Sequence, residues 1–306
     1  PGQRRNSLPS TFGADLPVEN LNAIDTRGFE MLLGTHITAG EVTFDLSGNI
    51  TWARSKWLYF DEPTYDDPDQ DRLNRRTGQW TDRTIGYLTD GLFASYEDII
   101  NLPYNYESLG DNTKLSLRPG DIIYKNTNGD DVVNWRDQQE IGSGSMPKWI
   151  YGVNASVRWK GLDANLLFQG AFGYSVNVDL SSVPTDFSYN HRWTQENNDT
   201  QALVPRYGGS TTNGLASDYR IHEAAYIRLK DASIGYTFPQ KWTKKIQIER
   251  VRLYVSGTNL LTLSTLSKYG VDPEVPDGTG PTGQAVSLVY YYPQQRTMSF
   301  GLNLTF

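Results

Sequence analysis

The 306-residue chain contains no cysteine, so disulfides and thiolate metal sites are excluded outright. It has only three histidines, His36, His191 and His222, which fall in different segments without ligand spacing. Their ordinary reading is as loop or strand-end residues, not a metal or proton-transfer site. There is no apolar run approaching the roughly 18 to 20 residues that a membrane helix needs, and mean hydropathy is -0.54, which excludes a helical membrane protein. The segment Pro1-Gly2-Gln3-Arg4-Arg5 carries no apolar stretch of a signal peptide. Net charge is -7 with scattered basic residues, so no electrostatic footprint for nucleic acid exists. No G-x-S-x-G elbow occurs, Gly142-Ser143-Gly144-Ser145 has no base beside it, and Tyr207-Gly208-Gly209-Ser210 reads as a loop tip, so nothing supports an enzyme.

None of these absences bears on a membrane β-barrel, in which lipid-facing and lumen-facing residues alternate and each strand's apolar signal is halved. That alternation is what the chain does contain. In Thr297 to Phe306, Met298, Phe300, Leu302, Leu304 and Phe306 share one parity, opposed by Thr297, Ser299, Gly301, Asn303 and Thr305. An aromatic last residue after such a run is how bacterial outer-membrane barrels close. In Glu41 to Arg54 the even positions Val42, Phe44, Leu46, Ile50 and Trp52 are apolar, and the odd positions from Glu41 to Thr51 are polar. In Lys148 to Lys160 the apolar set runs from Trp149 to Trp159. Ten residues at about 3.3 Å each, tilted near 45°, separate these two indoles by roughly 23 Å along the membrane normal, the spacing of two aromatic girdles.

Four further segments, Thr26 to Thr35, Leu162 to Tyr174, Ala225 to Phe238 and Val251 to Leu261, alternate in the same way. Parity slips near Lys230-Asp231, which predicts a bulge. The fold expected is therefore all-β: a partial transmembrane antiparallel β-barrel of about seven spanning strands with long loops. Links near Thr38-Ala39-Gly40, at Gly161 and over Pro239 to Glu249 are short. Ser55 to Pro147, Ser175 to Ile221 and Ser264 to Gln295 are long, and the polar run Asp61 to Arg76 reads as solvated loop. Short turns facing the periplasm and long loops facing outside would place the C-terminus in the periplasm. Single-chain bacterial barrels have an even strand count, so seven implies a portion of a larger barrel. A soluble β-sandwich is the competing architecture.

Several stretches resemble the C-terminal third of the SusC/RagA family of TonB-dependent transporters. They are Arg75-Arg76-Thr77-Gly78-Gln79, Gly86 to Phe93, Pro119-Gly120-Asp121-Ile122, Tyr151 to Asn154, Leu167 to Gly170, Tyr226 to Tyr236, Gly257 to Leu260 and Tyr292 to Thr297. The resemblance runs from about Leu8 to Phe306. It implies a barrel of about 22 strands in the bacterial outer membrane, with residues 1–306 its C-terminal part and the N-terminal plug and TonB box absent from this chain. It further implies a SusD-like surface lipoprotein as partner, TonB as the source of force, the remaining strands and lipid as neighbours, and glycan or peptide oligomers as cargo. The rivals are a siderophore- or cobalamin-type receptor on the same barrel, and a secreted β-sandwich carbohydrate-binding module.

Two groups of site residues follow. Loop aromatics Trp80, Tyr87, Tyr189, Trp193, Tyr207, Tyr290 and Tyr291 could stack on sugar rings beside polar side chains, or pack between loops or against a partner. Asn126, Asn128, Asp130, Val132, Asn134 and Asp137 have the oxygen spacing of a calcium loop, making a structural Ca²⁺ the one candidate cofactor; none is required. Asp131 in place of the turn glycine and Asp137 in place of the usual glutamate depart from that pattern, and an Asn/Asp-rich turn held by its own hydrogen bonds competes with it.

Overall fold

Alternation over seven segments becomes seven strands. The computed structural model describes residues 19–107, 114–180, 186–209, 211–274, 278–279, 285–286 and 294–306. The strands are β1 (Ala23–Ala39), β2 (Val42–Tyr59), β3 (Trp149–Trp159), β4 (Leu162–Asn177), β5 (Ile221–Thr237), β6 (Arg250–Ser264) and β7 (Thr297–Thr305). They form one sheet in chain order, every neighbouring pair antiparallel. A spanning strand needs about 9 to 11 residues. β1, β2, β4, β5 and β6 have 15 to 18, so they continue past the bilayer at the long-loop end.

The tight turns at the other end are built from residues that accept φ > 0. Lys160 and Gly161 both do so (46° and 87°), matching the right-handed twist of the flanking strands. The expected bulge is Lys230, skipped in the pairing with both neighbours while Leu229 and Asp231 are paired. It moves the apolar set from odd positions (Ile227, Leu229) to even ones (Ala232, Ile234), so the oily face continues unbroken.

Register then sorts the two faces across the whole sheet. One cross-strand row reads Ile37, Phe44, Val157, Ala164, Ile234, Val255, Phe300. The next row, on the opposite face, reads His36, Asp45, Ser156, Asn165, Ser233, Ser256, Ser299. A one-residue slip in any strand would exchange its faces. The polar face carries its own ion pairs, Asp45 with Arg158 at 3.0 Å and Asp163 with Arg252 at 2.5 Å. The apolar face is open: Phe300 is 82% and Met298 67% exposed. A sandwich would bury that face against a second sheet, and none covers it among the described residues. Phe29, Trp52, Trp149 and Phe172 form a band of rings, successive centroids 5.5–6.2 Å apart, at the long-loop end; Trp159 stands at the turn end. Among the described residues no helix is long and apolar enough to cross a membrane.

The long loops differ from open connections. They carry short helices (Pro68–Asn74, Tyr96–Asn101 and Asp186–Asn190) and small two-stranded pairs such as Arg83–Gly86 with Gln139–Ser143. Asp67 caps the first of these helices inside the Asp61 to Arg76 run, which is therefore partly helical, though no helix residue is buried. Two apolar cores form among the loops. One gathers Leu92, Phe93, Ile99, Tyr106, Ile122 and Tyr124; the other joins Val178, Leu180, Val204 and Leu266 to the upper ends of β4 and β5.

The sheet predicts the outcome of a charge scan. Leu46 lies on the apolar face midway between the Trp52 and Trp159 levels, so Leu46→Arg should cost about 2 to 4 kcal/mol, whereas Ser47→Arg on the polar face should cost under about 1 kcal/mol. Urea titration of the folded receptor in lipid measures both; equal losses would mean that the faces are assigned wrongly.

Candidate functional site

The loops are held as one body by a buried carboxylate. Asp121, fully buried, accepts from Arg206 Nε at 2.8 Å, Asn213 Nδ2 at 2.9 Å and Arg118 N at 2.8 Å, while Asn213 Oδ1 accepts from Ile122 N at 2.9 Å. The β2–β3 loop is thus joined to the β4–β5 loop by charge-assisted bonds in a dry environment. Beside it Gly120 sits at φ 87° with the Trp193 ring so close that a Cβ would lie 2.4 Å from it, so only glycine fits. Tyr87 and Asp218 are joined by a backbone bond between the same loops, and Thr89 donates to Asp218 at 2.5 Å. Burial pushes the Tyr106 and Tyr124 phenols far above their usual value, so both remain donors; the Tyr124 hydroxyl donates to the Thr212 carbonyl at 2.5 Å.

This packing sorts the candidate aromatics. Tyr87 (4% exposed) and Trp193 (8%) are core residues, so neither offers a ring face to a ligand; packing between loops is what they do. Trp80 is half-buried, with Arg54 4.1 Å above its ring centroid, so one face is already covered. Tyr189 is 60% exposed and Tyr207 37%, and the Arg192 guanidinium lies 3.7 Å and 5.6 Å from their rings. These three make an exposed aromatic and cationic patch. Tyr290 and Tyr291 lie outside the described residues.

The oxygen-rich turn is closed by its own hydrogen bonds. Asn126 Oδ1 accepts from Gly129 N, Asn128 Oδ1 from Asp130 N, Asp130 Oδ1 from Val132 N and Asn134 Oδ1 from Arg136 N. Buried Asp137 accepts from Thr127 N at 2.7 Å and Asn134 N at 2.9 Å. Each side chain with calcium-loop spacing is therefore an acceptor within the turn itself, and no cluster of three or more His, Cys, Asp or Glu suited to a metal occurs among the described residues.

Two features were not read from the sequence. Trp57 lies on the polar-face parity of β2, because Lys56 opposes Trp80 and alternation turns Trp57 and Gln79 the other way. With Arg75, Arg76 and Arg83 these residues border a cleft of 370 Å³. The second is Arg228, 2% exposed on the polar face of β5. It donates to Asp272 at 2.6 Å and Glu274 at 2.8 Å, and Glu274 also takes Lys230 at 2.8 Å. This buried network straps the segment after β6 against the wall. Burial alone pushes the Asp272 carboxyl up, but N–H donors from Glu274 and Gln294 and the Arg228 guanidinium outweigh it and hold the group below the usual aspartate range.

An antiparallel sheet with one lipid-compatible face, one ion-paired face, tight turns at one end and a folded loop layer at the other is the wall of a transmembrane β-barrel. No protein-family model matches the chain. It is 27% identical over 318 residues to TonB-dependent receptor P3 of Formosa agariphila, covering 98% of this chain and 30% of that protein. To the TonB-dependent receptor SusC of Bacteroides thetaiotaomicron it is 23% identical over 305 residues, covering 97% and 28%. A solved structure of the RagAB peptide transporter superposes with a TM-score of 0.64 at 17% identity, covering 98% of this chain and 31% of that one. The chain is thus similar, along almost its full length, to TonB-dependent receptors of the SusC/RagA type, as its motifs implied, and it spans about a third of their length.

Two outcomes follow from the buried charges. Arg206→Leu leaves Asp121 without its cation, and breaking a buried pair costs about 3 to 5 kcal/mol; limited proteolysis should then cut the β2–β3 and β4–β5 loops while the strands stay protected. Asp272 has a folded pKa below its unfolded one, so its contribution is present above the ordinary aspartate range and is lost as pH falls through the folded value. The amides of Glu274 and Gln294, which donate to Asp272, should therefore lose protection in acid relative to neutral pH, and Arg228→Leu should remove their protection at both.

Proposed function

We propose that this chain forms part of the wall and the surface loops of a TonB-dependent importer of oligomeric nutrients, glycans or peptides, in a bacterial outer membrane. The supporting observation is the union of a lipid-ready sheet with a loop layer rigid enough to present side chains in fixed positions. Likeness to SusC and to the RagAB peptide transporter supports the same reading. In it the chain is the C-terminal part of the barrel, the long loops face outside, the C-terminus faces the periplasm, and the plug and TonB contact lie elsewhere in the receptor. A SusD-like lipoprotein covers the loops. The chain moves cargo and does no covalent chemistry.

Within the loop layer, Tyr189 and Tyr207 with Arg192 between them are the cargo contacts. Losing one ring stack should weaken oligomer binding by roughly tenfold. Calorimetry on the purified receptor should show this for Tyr189→Ala, with the melting temperature unchanged. Uptake of labelled oligomer should stop on deletion of TonB, and a tagged receptor should bring down a surface lipoprotein; uptake that persists without TonB sinks the reading. Calcium at the 126–137 turn is a separate proposal supported by its oxygen spacing alone. Terbium luminescence sensitised by Trp135 and removed by Asp130→Ala is its check, and a silent wild-type protein rejects it.

A further inference from the structure

Resting on the importer reading, we infer that the cleft between the extracellular end of β2 and residues 74–83 is a subsite for an acidic sugar, with Arg76 and Arg75 binding its carboxylate and Trp57 its ring.

The chain carries a net charge of -7, yet no carboxylate lines this cleft of 370 Å³. Its three guanidinium groups are not equivalent. Arg83 is committed: its side chain is 14% exposed, it meets Glu140 at 3.1 Å, and its terminal nitrogens donate to the carbonyls of Arg75 and Arg72. It is a positioning residue that fixes the backbone of its neighbours. Arg75 pairs with Asp71 one helical turn away, with 55% of its side chain exposed. An exposed i,i+4 pair contributes only about 0.3 to 0.5 kcal/mol, so a ligand carboxylate can take its place. Arg76 has no ion pair among the described residues and lies over the Phe60 ring at 4.6 Å. Contact with the ring restrains the guanidinium, whose N–H groups can then take a carboxylate in bidentate fashion.

What surrounds these cations selects a sugar over an acidic peptide. Trp57 supplies an indole on the face that continues the polar side of β2, braced edge-on by Phe60 at 4.9 Å. Gln79 supplies an amide for ring hydroxyl groups, and Thr81, whose hydroxyl donates to the Ser55 carbonyl at 3.3 Å, supplies an acceptor. An extended peptide would be recognised through an open strand edge, and the 79–81 backbone already spends its bonds on Ser55 and Trp57. An indole, a bidentate cation and short polar groups together fit a hexuronate within an oligosaccharide.

The test compares three probes on the complete receptor in detergent by calorimetry: tetragalacturonate, the same oligomer after carboxyl reduction, and tetraglutamate. Tetragalacturonate should bind at least tenfold more tightly than either. Arg76→Gln should abolish that preference while leaving binding of the reduced oligomer within twofold; Arg76→Lys, which keeps charge but not the fork, should recover only part of it. A heat-resistant folded barrel in each variant certifies that folding is intact. Equal binding of charged and reduced oligomers, or tighter binding of tetraglutamate, overturns the subsite while the importer reading stands. Failure of every oligomer to bind overturns the subsite as well, while the importer reading is decided separately by TonB-dependent uptake.

Discussion

Hydrocarbon offers no partner to an amide, so every peptide group that crosses it must be paired along the strand, and that requirement governs this structure. An antiparallel ladder in chain order meets it between β1 and β7, and it fixes register as a by-product. Because register is shared from strand to strand, the row from Ile37 to Phe300 stays apolar across seven strands and the row beneath it stays polar. The bulge at Lys230 preserves this order: without it, the lower half of β5 would present Ser233 to lipid and Ile234 to the lumen.

Above the bilayer the rule relaxes and ordinary burial takes over. There the chain builds two small apolar cores and pins them with charges kept out of water, Asp121 between two loops and Arg228 between wall and strap. Such pairs are costly to desolvate and costlier to break, which makes them devices of placement more than of net stability. The stretches Pro119 to Ile122 and Tyr226 to Tyr236 each contain the buried charge or the glycine that one of these contacts requires.

All seven strands and the bulge were legible in the sequence because a period of two with one oily face is what a strand between lipid and water must have. Strand ends were not, since the upper end of β4, Tyr174 to Val176, is buried on both faces and loses its polar parity. Among site residues, exposed Tyr189 and Tyr207 and buried Tyr87 and Trp193 look alike in sequence. Whether a loop aromatic faces water depends on pairings more than a hundred residues apart, such as Thr89 with Asp218, and no local pattern encodes them. Trp57 was in principle legible: extending the parity of β2 by five residues turns it toward the lumen.

The clamp at Asp121 also bears on how such a molecule can change. A loop held only at its ends can be exchanged freely, but here the β2–β3 insertion holds a carboxylate whose cation, Arg206, and amide, Asn213, sit in the β4–β5 insertion. Replacing the β4–β5 insertion alone would take the Arg206 guanidinium and the Asn213 amide from a carboxylate in a dry core. The two insertions are therefore one heritable block, so new specificities would arise by recombination of the pair or by point changes on its surface, and chimeras cut between residues 148 and 178 should inherit a fault that chimeras cut outside both loops escape.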